Sequence, residues 1–197
     1  GASVKDAEGI KNVYDVLQKV GYEDVLLVVS AMGKTTNALE EVIKNYFEKS
    51  EELNSSVQEV KKYHNQILLD LFEDEKNEVF AAVNSLFSEL EYFLAHNKSP
   101  NYNFVYDQIV SFGELISTMI LSHFMNFMGI KTQWIDVRNF IKTDDTYRDA
   151  EVDWELTQQN ISKNVKRKML NITQGFLGSD KNGFTTTLGR EGSDYTA

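Results

Sequence analysis

The chain of 197 residues contains no cysteine. That excludes a disulfide framework, a thiolate metal site and a cysteine nucleophile. Histidine is almost as scarce: His64, His96 and His123 lie far apart, without the short spacings of metal ligands. His123 falls on an apolar helix face and reads as a core or boundary histidine. Basic residues are outnumbered, 20 Lys and Arg against 30 Asp and Glu, for a net charge of -10. Nucleic acid is thereby disfavoured as a partner, because phosphate binding needs concentrated Lys and Arg. No uninterrupted apolar run approaches the ~18 residues that span a membrane, and no signal-peptide pattern opens the sequence as given. Internal repeats and low-complexity segments are missing, and nothing fits the phosphate loop G-x-x-x-x-G-K-[ST]. With 42% hydrophobic residues, the expectation is one soluble, cytoplasmic domain with enough apolar mass for a core.

Periodicity supplies the elements. Ile10, Val13, Tyr14, Leu17 and Val20 predict a helix over 6–20, capped by Asp6 and stopped by Gly21. Residues 25–31 form a short run rich in β-branched residues ending near Gly33, the pattern of a strand buried on both faces of a parallel sheet. From about Thr36 to Asn97 the chain reads as helical throughout, without glycine. Successive apolar stripes run through Leu39 and Val42, through Val60 and Ile67, and through Val83 and Phe87. The single proline, Pro100, marks a break. Beyond it the pattern predicts a long helix over 106–128 ended by Gly129, a strand over 132–137 and a helix over 156–169 capped by Asp153. A strand over 170–176 then leads into a glycine-rich segment. A helix, a buried strand, a glycine turn and a helix in that order follow the pattern of an α/β protein.

Several residues invite a chemical reading, each beside a plainer one. Ser30 and Thr36 are hydroxyls just past a strand end, where open α/β sheets bind ligands, and where helix caps are equally at home. Glu114 lies among apolar positions next to Gly113, which leaves room for something to approach; the competing reading is a partly exposed helix glutamate. The segment after Phe176 sets Arg190 among glycines, a turn able to hold an anion, against a hairpin rich in turn residues. Lys163, Lys166, Arg167 and Lys168 favour a solvated helix C-terminus over an anion site. Asp144, Asp145, Asp149, Glu151 and Asp153 favour a polar connection with a helix cap over a metal site.

Taken in order, five segments resemble the catalytic domain of the aspartokinase family, in the amino-acid kinase superfamily. Gly1-Ala2-Ser3-Val4 is similar to the end of its K-F-G-G-T-S-V loop, with Ala2 in place of threonine. Val28-Val29-Ser30-Ala31-Met32-Gly33 with Thr36-Asn37 resembles V-V-S-A-M-G…T-N, and Ser111-Phe112-Gly113-Glu114 resembles S-x-G-E. Trp134-Ile135-Asp136-Val137-Arg138 with Thr143-Asp144 resembles W-x-D-A-R…T-D. The last and most specific segment is T-Q-G-F-x-G…T-T-T-L-G-R-x-G-S-D-Y-T-A, from Thr173 to Ala197.

The resemblance implies a three-layer α/β/α sandwich with a mostly parallel sheet and a helical excursion over about 36–97, incomplete at both ends. Residues 1–197 would be the aspartate-binding part of a catalytic domain, without the first strand, most of the ATP site and the regulatory ACT domains. The implied reaction transfers the γ-phosphoryl of ATP, with Mg2+, to the side-chain carboxylate of L-aspartate, giving 4-phospho-L-aspartate for lysine, threonine and methionine biosynthesis. By the same resemblance Glu114 faces the substrate ammonium and Arg190 holds a substrate carboxylate. Thr36, Phe176 and Ser193 complete that pocket, Gly1 and Ser30 lie near the transferring phosphoryl group, and Asp194 is an organising carboxylate. No protein metal ligand is implied, and the assembly would be a homodimer or larger through regions beyond this sequence. The family's catalytic lysine would precede Gly1, so the isolated 197 residues are expected to show no useful kinase activity. The kinase end of a bifunctional aspartokinase–homoserine dehydrogenase and a non-catalytic amino-acid-binding module are the alternatives.

Overall fold

The computed structural model describes residues 1–189 and 191–197, the side chain of Asn164 excepted. Helix α1 (Ala7–Val20) starts where the Asp6 carboxylate accepts the Gly9 N–H at 2.8 Å. It ends at Gly21, whose φ of 93° is open to glycine and strained for other residues. Among the described residues the parallel sheet runs in the order β1-β3-β2, with β1 Leu26–Val29, β2 Thr132–Ile135 and β3 Leu170–Gln174. All of β3 is buried, so both faces of this central strand are covered. Strand β1 is not: only Val29 is buried and Leu26 is 38% exposed. Two-faced burial therefore belongs to β3 and not to the run at 25–31. An apolar run records hydrophobicity but not whether a strand has neighbours on both sides.

The excursion is three helices and not one continuous stretch: α2 (Thr35–Glu48), α3 (Leu53–Leu71) and α4 (Glu78–His96). Lys49 breaks the first junction in a left-handed conformation (φ 53°), with no glycine or proline to announce it. The stripes point inward as read, with Leu39, Val60, Ile67, Val83 and Phe87 all buried. The long helix over 106–128 is also two, α5 (Tyr102–Val110) and α6 (Phe112–Phe127), meeting at Ser111, whose hydroxyl donates to the Gln108 carbonyl at 2.9 Å. Together they span 26 residues, long and apolar enough to cross a membrane, yet 83% of the apolar window is buried within the protein. That is the burial of a core helix, and α6 indeed packs against the sheet and α4.

Strand β2 stops at Ile135 because Asp136 turns the chain, accepting the Arg138 N–H at 3.0 Å. Helix α7 (Trp154–Asn164) begins at its expected cap, Asp153, but ends well before Met169. Lys166, Arg167 and Lys168 consequently follow the helix, and only Lys163 sits in its last turn. The strand expected over 170–176 ends at Gln174, and β4 (Leu177–Ser179) pairs antiparallel with β5 (Thr185–Thr187). A short helix, α8 (Gly192–Thr196), closes the fold. Asp144 accepts hydrogen bonds from the Thr146 and Glu151 backbone, so the acidic stretch is a polar loop. Among the described residues no three His, Cys, Asp or Glu side chains gather to hold a metal ion.

One buried carboxylate ties α5 to the far side. Asp107 accepts the Arg148 N–H at 3.0 Å, the Thr187 N–H at 2.8 Å and the Thr187 hydroxyl at 2.8 Å. Burial pushes its pKa up to about 6 against the pull of those donors. Asp107→Ala strands three donors, and we expect a loss of roughly 2–5 kcal/mol in urea unfolding. Asp107→Asn, which keeps an acceptor, should lose less.

Candidate active site

Three segments meet beyond the carboxyl ends of β1 and β3: the Ser30–Gly33 loop, the start of α6, and the turn from Gly175 to Phe176. Gly113 permits the approach of α6, since a Cβ there would lie 2.9 Å from the Ala31 Cβ. The next residue, Glu114, is 3% exposed, which overturns the reading of a partly exposed helix glutamate. Its Oε1 accepts the Ala31 N–H at 3.1 Å, while its buried Oε2 has no hydrogen-bond partner. Burial pushes the Glu114 pKa up to about 7, opposed by the Ala31 N–H. A buried acceptor left open in this way is costly unless a donor meets it.

That carboxylate faces a cavity of about 300 Å³. Thr36, Phe176, Ser193 and Asp194, all nominated from sequence, line it with Glu114, alongside Gly189, Glu191 and Gly192. The backbone there is tightly shaped. Phe176 and Glu191 both adopt left-handed conformations, at φ 70° and 62°; for non-glycine residues this costs of order 1–3 kcal/mol each. A Cβ on Gly192 would lie 2.8 Å from the Phe176 ring, so glycine lets α8 press onto that side chain. The Phe176 N–H donates to Thr196 Oγ1 at 3.1 Å, pinning the same contact.

Gly1 and Ser30 sit beside this cavity and do not line it. The Gly1 amine is 2.5 Å from Ser30 Oγ, and the Gly1 carbonyl accepts the Gly33 N–H at 3.2 Å. Ser117 donates to the Ser30 carbonyl at 2.8 Å, joining this loop to α6. Arg190 lies outside the described residues.

Sequence patterns did not single out the network beneath Glu114. Thr118 Oγ1, one turn on, donates to the Glu114 carbonyl at 2.9 Å. It receives hydrogen bonds from Gln174 Nε2 at 2.7 Å and Trp134 Nε1 at 2.9 Å. Gln174 Oε1 accepts the Val137 N–H at 2.8 Å, so one amide fixes the end of β3 to both α6 and the turn after β2. A glutamine at the end of a buried strand was the available signal. Chemically, the cavity combines carboxylates (Glu114, Glu191, Asp194) with hydroxyls (Thr36, Ser193), a lining that selects a cationic, hydrogen-bonding group.

A parallel-sheet α/β fold with this polar site at its strand ends defines the class. The sequence profile of the amino acid kinase family matches residues 1–197, and the chain belongs to that family. Within it, the chain is similar to proteins named aspartokinase. It is 42% identical over 95 residues to lysine-sensitive aspartokinase 3 of Escherichia coli (strain K12), covering 46% of this chain and 21% of that protein. It is 32% identical over 212 residues to aspartokinase 1, chloroplastic, of Arabidopsis thaliana, covering 100% of this chain and 36% of that protein. The crystal structure of E. coli aspartokinase III in complex with aspartate and ADP (R-state) matches with a TM-score of 0.86 at 28% identity, over 100% of this chain and 44% of that one. The whole chain thus spans 36% of the length of the second relative, and its aligned part 21% of the first.

Proposed function

We propose that the cavity is the L-aspartate site of an aspartate kinase, which transfers the γ-phosphoryl group of Mg-ATP to the side-chain carboxylate and yields 4-phospho-L-aspartate. The observation that carries this reading is the unpartnered, buried Oε2 of Glu114 at an acid-lined cavity. An α-ammonium supplies both the charge and the N–H donor that this oxygen lacks. In the same reading Arg190 grips a substrate carboxylate through parallel hydrogen bonds, and Thr36 and Ser193 add hydroxyl contacts against the Phe176 wall. Gly1 and Ser30, beside the cavity, face the phosphoryl group, and Asp194 organises the cations around it. Phosphoryl transfer asks for positioning and charge neutralisation and needs no activated protein nucleophile, which suits a chain without cysteine. In this reading Mg2+ arrives as part of the nucleotide substrate. Residues 1–197 then serve as the aspartate-binding part of a cytoplasmic, dimeric or larger enzyme that opens lysine, threonine and methionine synthesis.

The test is ADP release from Mg-ATP by the longest natural chain containing these residues, with L-aspartate, L-glutamate or no acceptor. Release confined to L-aspartate supports the proposal; folded protein with no release under any condition refutes it. In that assay Arg190→Ala should raise the KM for aspartate by about 10- to 100-fold, the worth of a charge-assisted contact. An unchanged KM would remove Arg190 from the pocket.

A further inference from the structure

Two consecutive residues of α3, Tyr63 and His64, reach segments that adjoin the site. The Tyr63 hydroxyl donates to the Lys5 carbonyl. It also crowds Gly33, where a Cβ would stand 2.6 Å from Tyr63 Oη. His64 is fully buried, its ring 5.1 Å from that of Tyr63 and 6.0 Å from that of Phe87. Its Nδ1 lies 2.8 Å from the Val60 carbonyl, which can only accept, so Nδ1 carries the proton and Nε2 is left as an acceptor. The group within reach of Nε2 is Thr35 Oγ1, at 3.4 Å. Thr35 opens α2 and directly precedes Thr36 in the cavity lining.

Among the described residues no other side chain is seen to cap the first turn of α2, which is otherwise held by its own Ala38 N–H to Lys34 carbonyl bond at 3.1 Å and by the burial of Thr35. Lys34 stands at its N-cap without a side-chain cap bond, and the Thr35 N–H makes a single turn contact to the Met32 carbonyl at 2.9 Å. We infer that His64 is a positioning residue of the aspartate site: by accepting the Thr35 hydroxyl it sets the first turn of α2, and with it the reach of Thr36. The inference rests on the aspartate-kinase reading above. Burial also holds His64 neutral, with its pKa pushed down to about 4, so the acceptor persists through neutral pH. A histidine that merely fills the core would serve packing alone, and the two roles separate experimentally.

The experiment measures KM for aspartate, KM for ATP and kcat in the full enzyme for His64→Leu, His64→Gln, Thr35→Val and Thr35→Ser. Losing one hydrogen bond should raise the aspartate KM about five- to tenfold in His64→Leu, with the ATP KM unchanged and kcat within about twofold. His64→Gln, which offers an amide oxygen near the former Nε2, should recover most of the loss. Thr35→Val should reproduce the rise, Thr35→Ser should not, and adding His64→Leu to Thr35→Val should raise KM no further. Equal impairment in His64→Leu and His64→Gln beside a normal Thr35→Val would overturn the role in favour of core packing. If the His64 variants fail to fold, the Thr35 pair decides alone, and a wild-type KM in Thr35→Val overturns the inference. Wild-type enzyme silent with aspartate would instead overturn the aspartate reading, and the positioning role with it.

Discussion

Glu114→Gln is expected to weaken L-aspartate binding by about 10- to 100-fold, because a charged hydrogen bond to the ammonium, worth about 1.5–3 kcal/mol, becomes a neutral one. Titration calorimetry reads this directly. Aspartate affinity in the unsubstituted enzyme should fall by up to about tenfold per pH unit below neutrality, since the Glu114 pKa stands at about 7 and binding needs the ionised form. Near pH 7 binding should therefore release protons, visible as a heat that changes with the buffer's ionisation enthalpy. The stability effect has the opposite sense. The folded chain holds this proton more tightly than the unfolded one, whose glutamate titrates near 4.5. The group is harmless below that value and increasingly destabilising as pH rises through 7. Glu114→Gln should flatten both dependences. An affinity profile that stays as steep in the variant would show that another group controls binding.

Gly175→Ala should disrupt the site through a single added methyl. A Cβ at this position would lie 2.6 Å from both Cβ and Oγ of Ser193 and 2.7 Å from its Cα. The Cα belongs to the backbone, so no rotamer change relieves the clash and α8 must move. Overpacking of this kind costs about 1–3 kcal/mol, and a displacement near 1 Å at a reacting site can cost about 100-fold in rate. We expect a lowered Tm together with a drop in kcat/KM that exceeds the stability loss. Gly183→Ala at the β4–β5 hairpin separates strain from clash: its φ of 83° strains a side chain, but nothing lies within 4 Å of a Cβ, so it should lower Tm and leave kcat/KM unchanged. A Gly175→Ala enzyme with normal kcat/KM would show that Ser193 need not sit where the cavity places it.

Some features were legible because they are decided within a few residues. The caps at Asp6 and Asp153 and the stop at Gly21 depend on hydrogen bonds to neighbours three or four positions away, and all three stand as read. The inward faces of α2, α3 and α4 followed from apolar spacing, but their ends did not. Lys49 takes a left-handed turn that no glycine announces, and Ser111 interrupts a stretch whose apolar pattern runs straight through.

By itself the sequence determined the α/β class and the order of the motif segments, because these depend on side-chain chemistry and local spacing, while its resemblance to the aspartokinase family nominated Thr36, Glu114, Phe176, Ser193 and Asp194 together. Only the tertiary structure decided that β3 and not β1 is the strand buried throughout, that Glu114 is buried with one oxygen open, and that those five residues share one cavity. The same holds for the hydrogen bond from Thr35 to His64, made across 29 positions of chain. The reason is physical: burial and desolvation belong to whatever packs around a group, and here the neighbours come from helices and strands far apart in the chain.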